Sequence, residues 1–422
     1  MTILEASQAA SRLYPGDWSR RQNRIRLRQR RVVVDETQLS CFSLGPFTFS
    51  DNSLEKNPVV DDLTRPVWCV AGVPIDIVTM ECAVKDILNA AAGSRPFLVS
   101  TPNLNFLAGL NHSSEFRDSI LGSDLCLADG IAVSFVARLL GIPLLIRVPG
   151  SDLFDALIKS GVRPPLRVFF FGGANTAAAE AQAKTANRRE GIVGIGHLNP
   201  GWGSIEEMSS EEIIDEINGA ESQFLVVALG AQKGQIWLWR NQRRLSAPVR
   251  AHLGATMNFL AGGVRRAPPF FRKSGLEWVW RIWEEPALWR RYWNDGFSLI
   301  RLLVFHVLPL AFIQIFLQSR KEEGFQLTTL QGADGVTLRL CGSANQRNVD
   351  AAIGVLRQAI ALKRDIEIDL SSVSYMDARF LGLLLMLRKK ILSHGQNLKL
   401  SKPSRKIRRI FVLQRLEFLL AE

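Results

Sequence analysis

Between residues 67 and 253 short apolar runs alternate with helix-length amphipathic stretches, and that alternation leaves little choice but a mainly parallel sheet wrapped by helices. The runs 96–100, 125–128, 166–171, 224–229 and 249–253 are the clearest expected strands. Each gives way to Gly or a small polar residue and then to a helical pattern, as at 131–140 and 177–187. Ser209 with Glu212 makes a capping-box start for a helix to about 218. The fold class expected is therefore α/β, with a Rossmann-like domain over 67–264.

At 422 residues the chain exceeds one ordinary core, and the flanking segments differ in kind. Residues 1–66 mix small polar residues with the arginine run Arg20, Arg21, Arg24, Arg26, Arg28, Arg30 and Arg31, which reads as a disordered basic leader. Two readings stand for the run: a clamp on anionic lipid, or a solvated tail. Residues 265–320 are expected to form a membrane-contacting appendage. Its basic residues Arg265, Arg266, Arg272, Lys273, Arg281, Arg290 and Arg291 interleave with Trp278, Trp280, Trp283, Trp289 and Trp293. The apolar stretch 297–317 is interrupted by Arg301, His306, Pro309 and Gln314, which favours an interfacial or re-entrant helix over a true span. Residues 325–422 read as a second, smaller α/β unit, with strands at 336–340, 366–370 and 398–400 and helices at 349–363, 378–392 and from Ser404.

The net charge of +12 calls for an acidic partner: nucleic acid, an anionic membrane face or a phosphate-bearing substrate. No recognition motif accompanies the charge, so nucleic acid is not expected. Five scattered cysteines without C-x-x-C spacing argue against a disulfide framework or a zinc site, and no secretion signal opens the chain. A reducing cytoplasm fits these features.

In an open parallel sheet, ligands gather beyond the carboxyl ends of the strands. The polar residues there are Thr101, Asn103, Asp129, Gly172, Gly173, Asn175, Thr176 and the block from Gly230 to Gln235, with Lys233 inside it. Asp129 follows an expected strand and precedes Gly130, where a carboxylate serves either as a helix cap or as a general base. Gly172 and Gly173 open a turn whose backbone N–H groups suit a diphosphate, although glycine turns are also ordinary connectors. Arg147 has the planar fork that pairs with phosphate; the plainer reading is a surface Arg before a helix capped by Ser151 or Asp152. No Asp-x-Asp pair lies between 67 and 295 to hold a metal against a diphosphate, so cations and backbone dipoles would stabilise the leaving group. The five histidines show no ligand spacing and read as loop or core residues.

With these residues assembled, 67–295 resembles the WecG/TagA/CpsF glycosyltransferases. The resemblance rests on ordered blocks: Thr101-Pro102-Asn103, Ala128-Asp129-Gly130, Arg147-Val148-Pro149-Gly150-Ser151-Asp152, Phe171-Gly172-Gly173, Leu260-Ala261-Gly262-Gly263 and Gly275-Leu276-Glu277-Trp278. It implies an inverting, metal-independent transfer from a UDP-sugar to a polyprenyl-diphosphate-linked saccharide in envelope or exopolysaccharide synthesis, with no cofactor. Asp129 matches the family's proposed base, and Thr101, Asn103, Gly130 and Arg147 match its donor and acceptor pocket. Arg265, Arg266, Arg272, Lys273, Trp278 and Arg281 fall in the segment that closes the site at an anionic membrane surface and faces the acceptor diphosphate. The implied place is the cytoplasmic face of the inner membrane, and self-association is compatible with the family. One departure stands out: where many members carry a pocket Gln this chain has Gly234, with Gln232 and Gln235 as substitutes nearby. Residues 325–422 resemble a STAS domain, through the stretch from Ile366 to Asp377. Ala378 replaces the phosphorylatable Ser of regulatory members, leaving a binding surface for a protein or nucleotide. The rival to the enzyme is a non-catalytic membrane scaffold that displays this module.

Overall fold

The computed structural model describes residues 61–110, 113–144, 147–174, 176–262, 267–268, 270–271, 277–284, 286, 289–316, 324–331 and 335–420. The arginine run of the expected leader lies outside these residues. Residues 61–66 do not belong to a leader: a 3-10 turn, Asp62–Thr64, buries Leu63, and Arg65 reaches inward to Asp76.

A hairpin of β1 (Val67–Val70) and β2 (Val73–Asp76) opens the fold. Next come α1 (Met80–Ala92), β3 (Phe97–Ser100), α2 (Leu104–Gly109), α3 (Ser114–Leu121) and β4 (Leu125–Cys126). They are followed by α4 (Ile131–Leu139), α5 (Gly150–Lys159), β5 (Leu166–Gly172), α6 (Ala177–Thr185) and β6 (Ile192–Leu198). The domain ends with α7 (Glu211–Gly219), β7 (Phe224–Ala228), α8 (Ala231–Arg240), β8 (Val249–His252) and α9 (Gly254–Ala261). Six strands pair in the order β4-β3-β8-β7-β5-β6, every pair parallel, which gives the expected doubly covered α/β sheet. Because both faces are covered, Phe224, Leu225, Val226 and Val227 of β7 are all buried.

Three sequence expectations change. The cap of α7 is Ser210, whose hydroxyl accepts from Ile213 N, while Ser209 donates to the Ile205 carbonyl. The edge strand β6 carries two glycines and an exposed His197, so it lacks the apolar run that marks central strands. Cys82 is disulfide-bonded, a pairing that scattered spacing cannot reveal, whereas Cys69, Cys126 and Cys341 are free.

The second unit has four strands, β9 (Phe325–Gln331), β10 (Val336–Ala344), β11 (Ile366–Met376) and β12 (Leu398–Ser401), in the order β12-β11-β10-β9. Only β9 runs antiparallel. Strand β11 continues to Met376, through the segment expected as a loop, because Val373, Tyr375 and Met376 are buried in register with β10. Helices α13 (Val349–Ala361), α14 (Ala378–Ser393) and α15 (Arg405–Leu413) complete it. Asp377 caps α14 by accepting from Phe380 N.

α14 is buried on all sides from Ala378 to Leu387, as befits a sequence apolar around the whole helix. One side closes the smaller sheet; the other lies on β1, where a Cβ on Gly382 would stand 2.1 Å from the Val67 carbonyl oxygen. Arg379 donates to that same carbonyl, Lys389 bridges Asp62 and Asp124, and Arg388 pairs with Asp118. One continuous apolar core therefore runs through both units. The surface expected to receive a protein or nucleotide is, along α14, covered by the chain's own hairpin.

Burial carries a measurable cost at Asp86 on α1. Desolvation, with the Asp76 charge behind it, lifts its carboxyl to about 6. A raised carboxyl favours the folded state below the unfolded value near 3.8 and that advantage is lost as pH climbs through about 6. Asp86→Asn is thus expected to stabilise the fold by about 2 kcal/mol at pH 8 and hardly at all at pH 4. Urea unfolding at both values checks this, and an equal effect at each would contradict it.

Candidate active site

The site is built where β3, β4 and β8 end. After β3, Thr101 is buried and Asn103 caps α2, its side-chain oxygen accepting from Asn105 N at 2.9 Å and Phe106 N at 3.4 Å. After β4, Asp129 N donates to the Pro102 carbonyl at 2.9 Å, pinning the two strand ends together. Gly130 then adopts φ +83° and ψ 159°, a conformation essentially closed to side chains. Gly130 is itself the N-cap of α4. The half-buried side chain of Asp129 lines a cavity.

Arg147 reaches the same cavity because Val148 N donates to the Ala128 carbonyl at 3.1 Å, which seats Arg147 beside Asp129 across that bond. Pro149, not Ser151 or Asp152, stands at the N-cap of α5. The cavity measures about 480 Å³, a volume suited to a small organic ligand. Its far wall comes from two further helices, α10 (Glu277–Glu284) and α11 (Trp289–Leu302), through Trp278, Tyr292, Asp295 and Leu299. Trp278 and Tyr292 rings lie 6.3 Å apart there. Asp129, Arg147, Thr101, Asn103, Gly130 and Trp278 are thus brought together.

The other expected site residues are placed elsewhere. Gly172 and Gly173 lie outside the cavity lining: a Cβ on the first would meet Leu229 and the Ala228 carbonyl, one on the second Met257 and Ala177. Gly173 N also donates to the Ala228 carbonyl at 2.7 Å, which ties this turn to the end of β7. Lys233 donates to the Gly203 carbonyl. Gln235 is fully buried, donating to Ser100 at 2.7 Å and to the Ser119 carbonyl at 3.2 Å, and it ties β3 to α3 in the core. Arg265, Arg266, Arg272, Lys273 and the side chain of Arg281 lie outside the described residues, as does Asn175. Thr176 bonds Glu180 along its own helix.

His252 lines the cavity and went unrecognised in the sequence, being taken for a loop or core residue. The expected run 249–253 encloses it, whereas the observed strand ends at His252 and so puts it at a strand end, as Thr101 and Asp129 are. Its ring is neutral at ordinary pH, since desolvation takes it down to about 4.

Beyond the cavity wall, α11 continues through a π turn, Leu303–Val307, into α12 (Leu308–Phe316). Leu302, Val307 and Leu310 pack inward, while Trp293, Phe297, Ile300, Val304, Leu308, Phe312 and Ile315 form one exposed stripe at three- and four-residue spacing. The 25 residues Tyr292–Phe316 are long and apolar enough to cross a membrane, yet one face is seated on protein. Such an exposed apolar face marks a contact surface.

The family model for Glycosyl transferase WecG/TagA/CpsF matches residues 68–311, and that of the Mlab, STAS domain matches 328–421. Among curated proteins, the chain is similar to an N-acetylglucosaminyldiphosphoundecaprenol N-acetyl-beta-D-mannosaminyltransferase of Bacillus spizizenii. The two are 32% identical over 194 residues, 46% of this chain and 73% of the relative. A protein of the same name from Staphylococcus aureus is 25% identical over 214 residues, 50% of this chain and 82% of the relative.

Proposed function

The chain belongs to the WecG/TagA/CpsF family of glycosyltransferases, and from that premise we propose that it moves an N-acetylhexosamine from a UDP-sugar to a polyprenyl-diphosphate-linked saccharide at the membrane surface. The observation that carries this reading is Asp129 beside Arg147 at the head of a ligand-sized cavity. Asp129 takes the proton from the acceptor hydroxyl as that oxygen attacks the anomeric carbon, and the configuration inverts. The bond from carbon to the UDP oxygen breaks, and UDP leaves with the electron pair. Arg147 and the backbone N–H groups at the start of α9 face the charge that develops on the diphosphate, so no metal is needed for it.

Membrane seating follows from the same wall. α11 closes the cavity on one side and carries the exposed apolar stripe on another, so a helix lying in the headgroup zone would bring a lipid-linked acceptor to Asp129. This favours a peripheral position on the cytoplasmic leaflet, where the nucleotide donor is available.

One assay tests both parts. The protein is mixed with anionic vesicles carrying polyprenyl-diphosphate-linked N-acetylglucosamine and a panel of UDP-sugars. It is expected to float with the vesicles and to release UDP with one N-acetylhexosamine donor. Absence of transfer from every donor removes the activity; transfer by protein that stays in the aqueous phase removes the membrane seating.

A further inference from the structure

Gly234 sits in the interior of α8, where glycine is unfavourable relative to alanine unless space demands it. Space does demand it: a Cβ there would lie 2.2 Å from Cδ2 of His252 and 3.1 Å from Cγ. The helix has given up a side chain so that the imidazole at the end of β8 can stand over it. Gly254, opening α9, also has the ring near it, with a Cβ there only 3.5 Å from Nε2. Among the described residues Nε2 has no hydrogen-bond partner and almost no accessible surface of its own, while His252 as a residue lines the cavity. Buried polar atoms left unsatisfied are uncommon, and one beside a ligand cavity calls for a ligand group. Gly234 is also the position where the chain departs from the family's sequence pattern, so the imidazole occupies room that a longer side chain at 234 would need.

Resting on the transferase reading, we propose that His252 is a specificity-determining residue whose imidazole hydrogen-bonds an uncharged polar group, hydroxyl or acetamido, on the transferred or the receiving sugar. A phosphate is the wrong partner, because a ring held neutral brings no charge to it and Arg147 lines the same cavity. An uncharged sugar substituent matches a group with one donor and one acceptor nitrogen.

The test compares wild type, His252→Ala and His252→Gln by titration with UDP and with the UDP-sugar, and by transfer kinetics. His252→Ala is expected to bind UDP as wild type does and to lose about tenfold in kcat/KM, with partial recovery in His252→Gln. If the donor sugar is the partner, UDP-sugar affinity falls by a similar factor; if the acceptor is, its KM rises while UDP-sugar affinity holds. The ring ¹⁵N resonance of Nε2 in wild type is expected to move on adding the sugar partner but not UDP. Unchanged kinetics and unchanged binding in folded His252→Ala overturn the assignment, and so does an unmoved resonance should the variant not fold. Wild type that neither binds nor transfers any UDP-sugar overturns the transferase reading and this inference together, whereas an active wild type with an unchanged His252→Ala variant overturns this inference alone.

Discussion

Asp129→Asn is expected to lower sugar transfer by about 10²- to 10⁴-fold while leaving UDP-sugar affinity close to that of wild type. The amide keeps the shape of the carboxylate but cannot accept the acceptor's proton. The turn should survive the change, because backbone groups hold it: Asp129 N on the Pro102 carbonyl and Val148 N on the Ala128 carbonyl. Unfolding measurements on the variant separate a chemical loss from a structural one. Retention of full turnover by a folded Asp129→Asn protein would assign the base to another residue.

Arg65→Met is expected to destabilise the fold by about 3–5 kcal/mol, the range for breaking a buried ion pair from one side. Arg65 is 4% exposed and reaches Asp76 through two nitrogens, at 2.7 and 3.1 Å. A third nitrogen serves Asp62 at 2.9 Å and the Ser123 carbonyl at 3.0 Å. Without it, Asp76 keeps only the Cys126 N–H at 2.7 Å, and a nearly buried carboxylate stands uncompensated. Asp62 retains Lys389 of α14, so the damage centres on the hairpin and on β4. Denaturant unfolding measures the loss. The double variant Arg65→Met/Asp76→Leu should recover much of it, since a buried pair replaced by apolar side chains is often neutral. A single-variant loss below about 1 kcal/mol would show the pair to be well hydrated.

The sheet was legible because its central strands are continuous apolar runs with glycine or small polar residues at their ends, a signal that survives without any alignment. β6, with Gly194 and Gly196, lies at an edge and carries no such run. Thr101, Asn103 and Asp129 were legible as candidates because each follows a strand and strand ends converge, whereas Arg147 was legible through its guanidinium ahead of a helix. Gln235 misled for the opposite reason: spacing along α8 sets it near the site in sequence, but the helix turns it into the core against Ser100. His252 was hidden inside an apolar run, and only the empty α-carbon of Gly234 beneath its ring shows why it stands there. The contact between the two units had a signal that periodicity alone does not interpret, a helix apolar around its full circumference from Phe380 to Leu387. A lone small domain has a single layer to offer such a helix, so a second had to come from elsewhere.

Because α14 is sandwiched between its own sheet and β1, that helix is not free to receive a visiting signalling protein. The strand pair under α14 also braces β4 through Asp76; Asp124, the residue before β4, grips Lys389, and Asp129, three residues after it, lines the cavity. A single apolar core thus joins the terminal module to the strand ends that carry the cavity, and the two units share one frame.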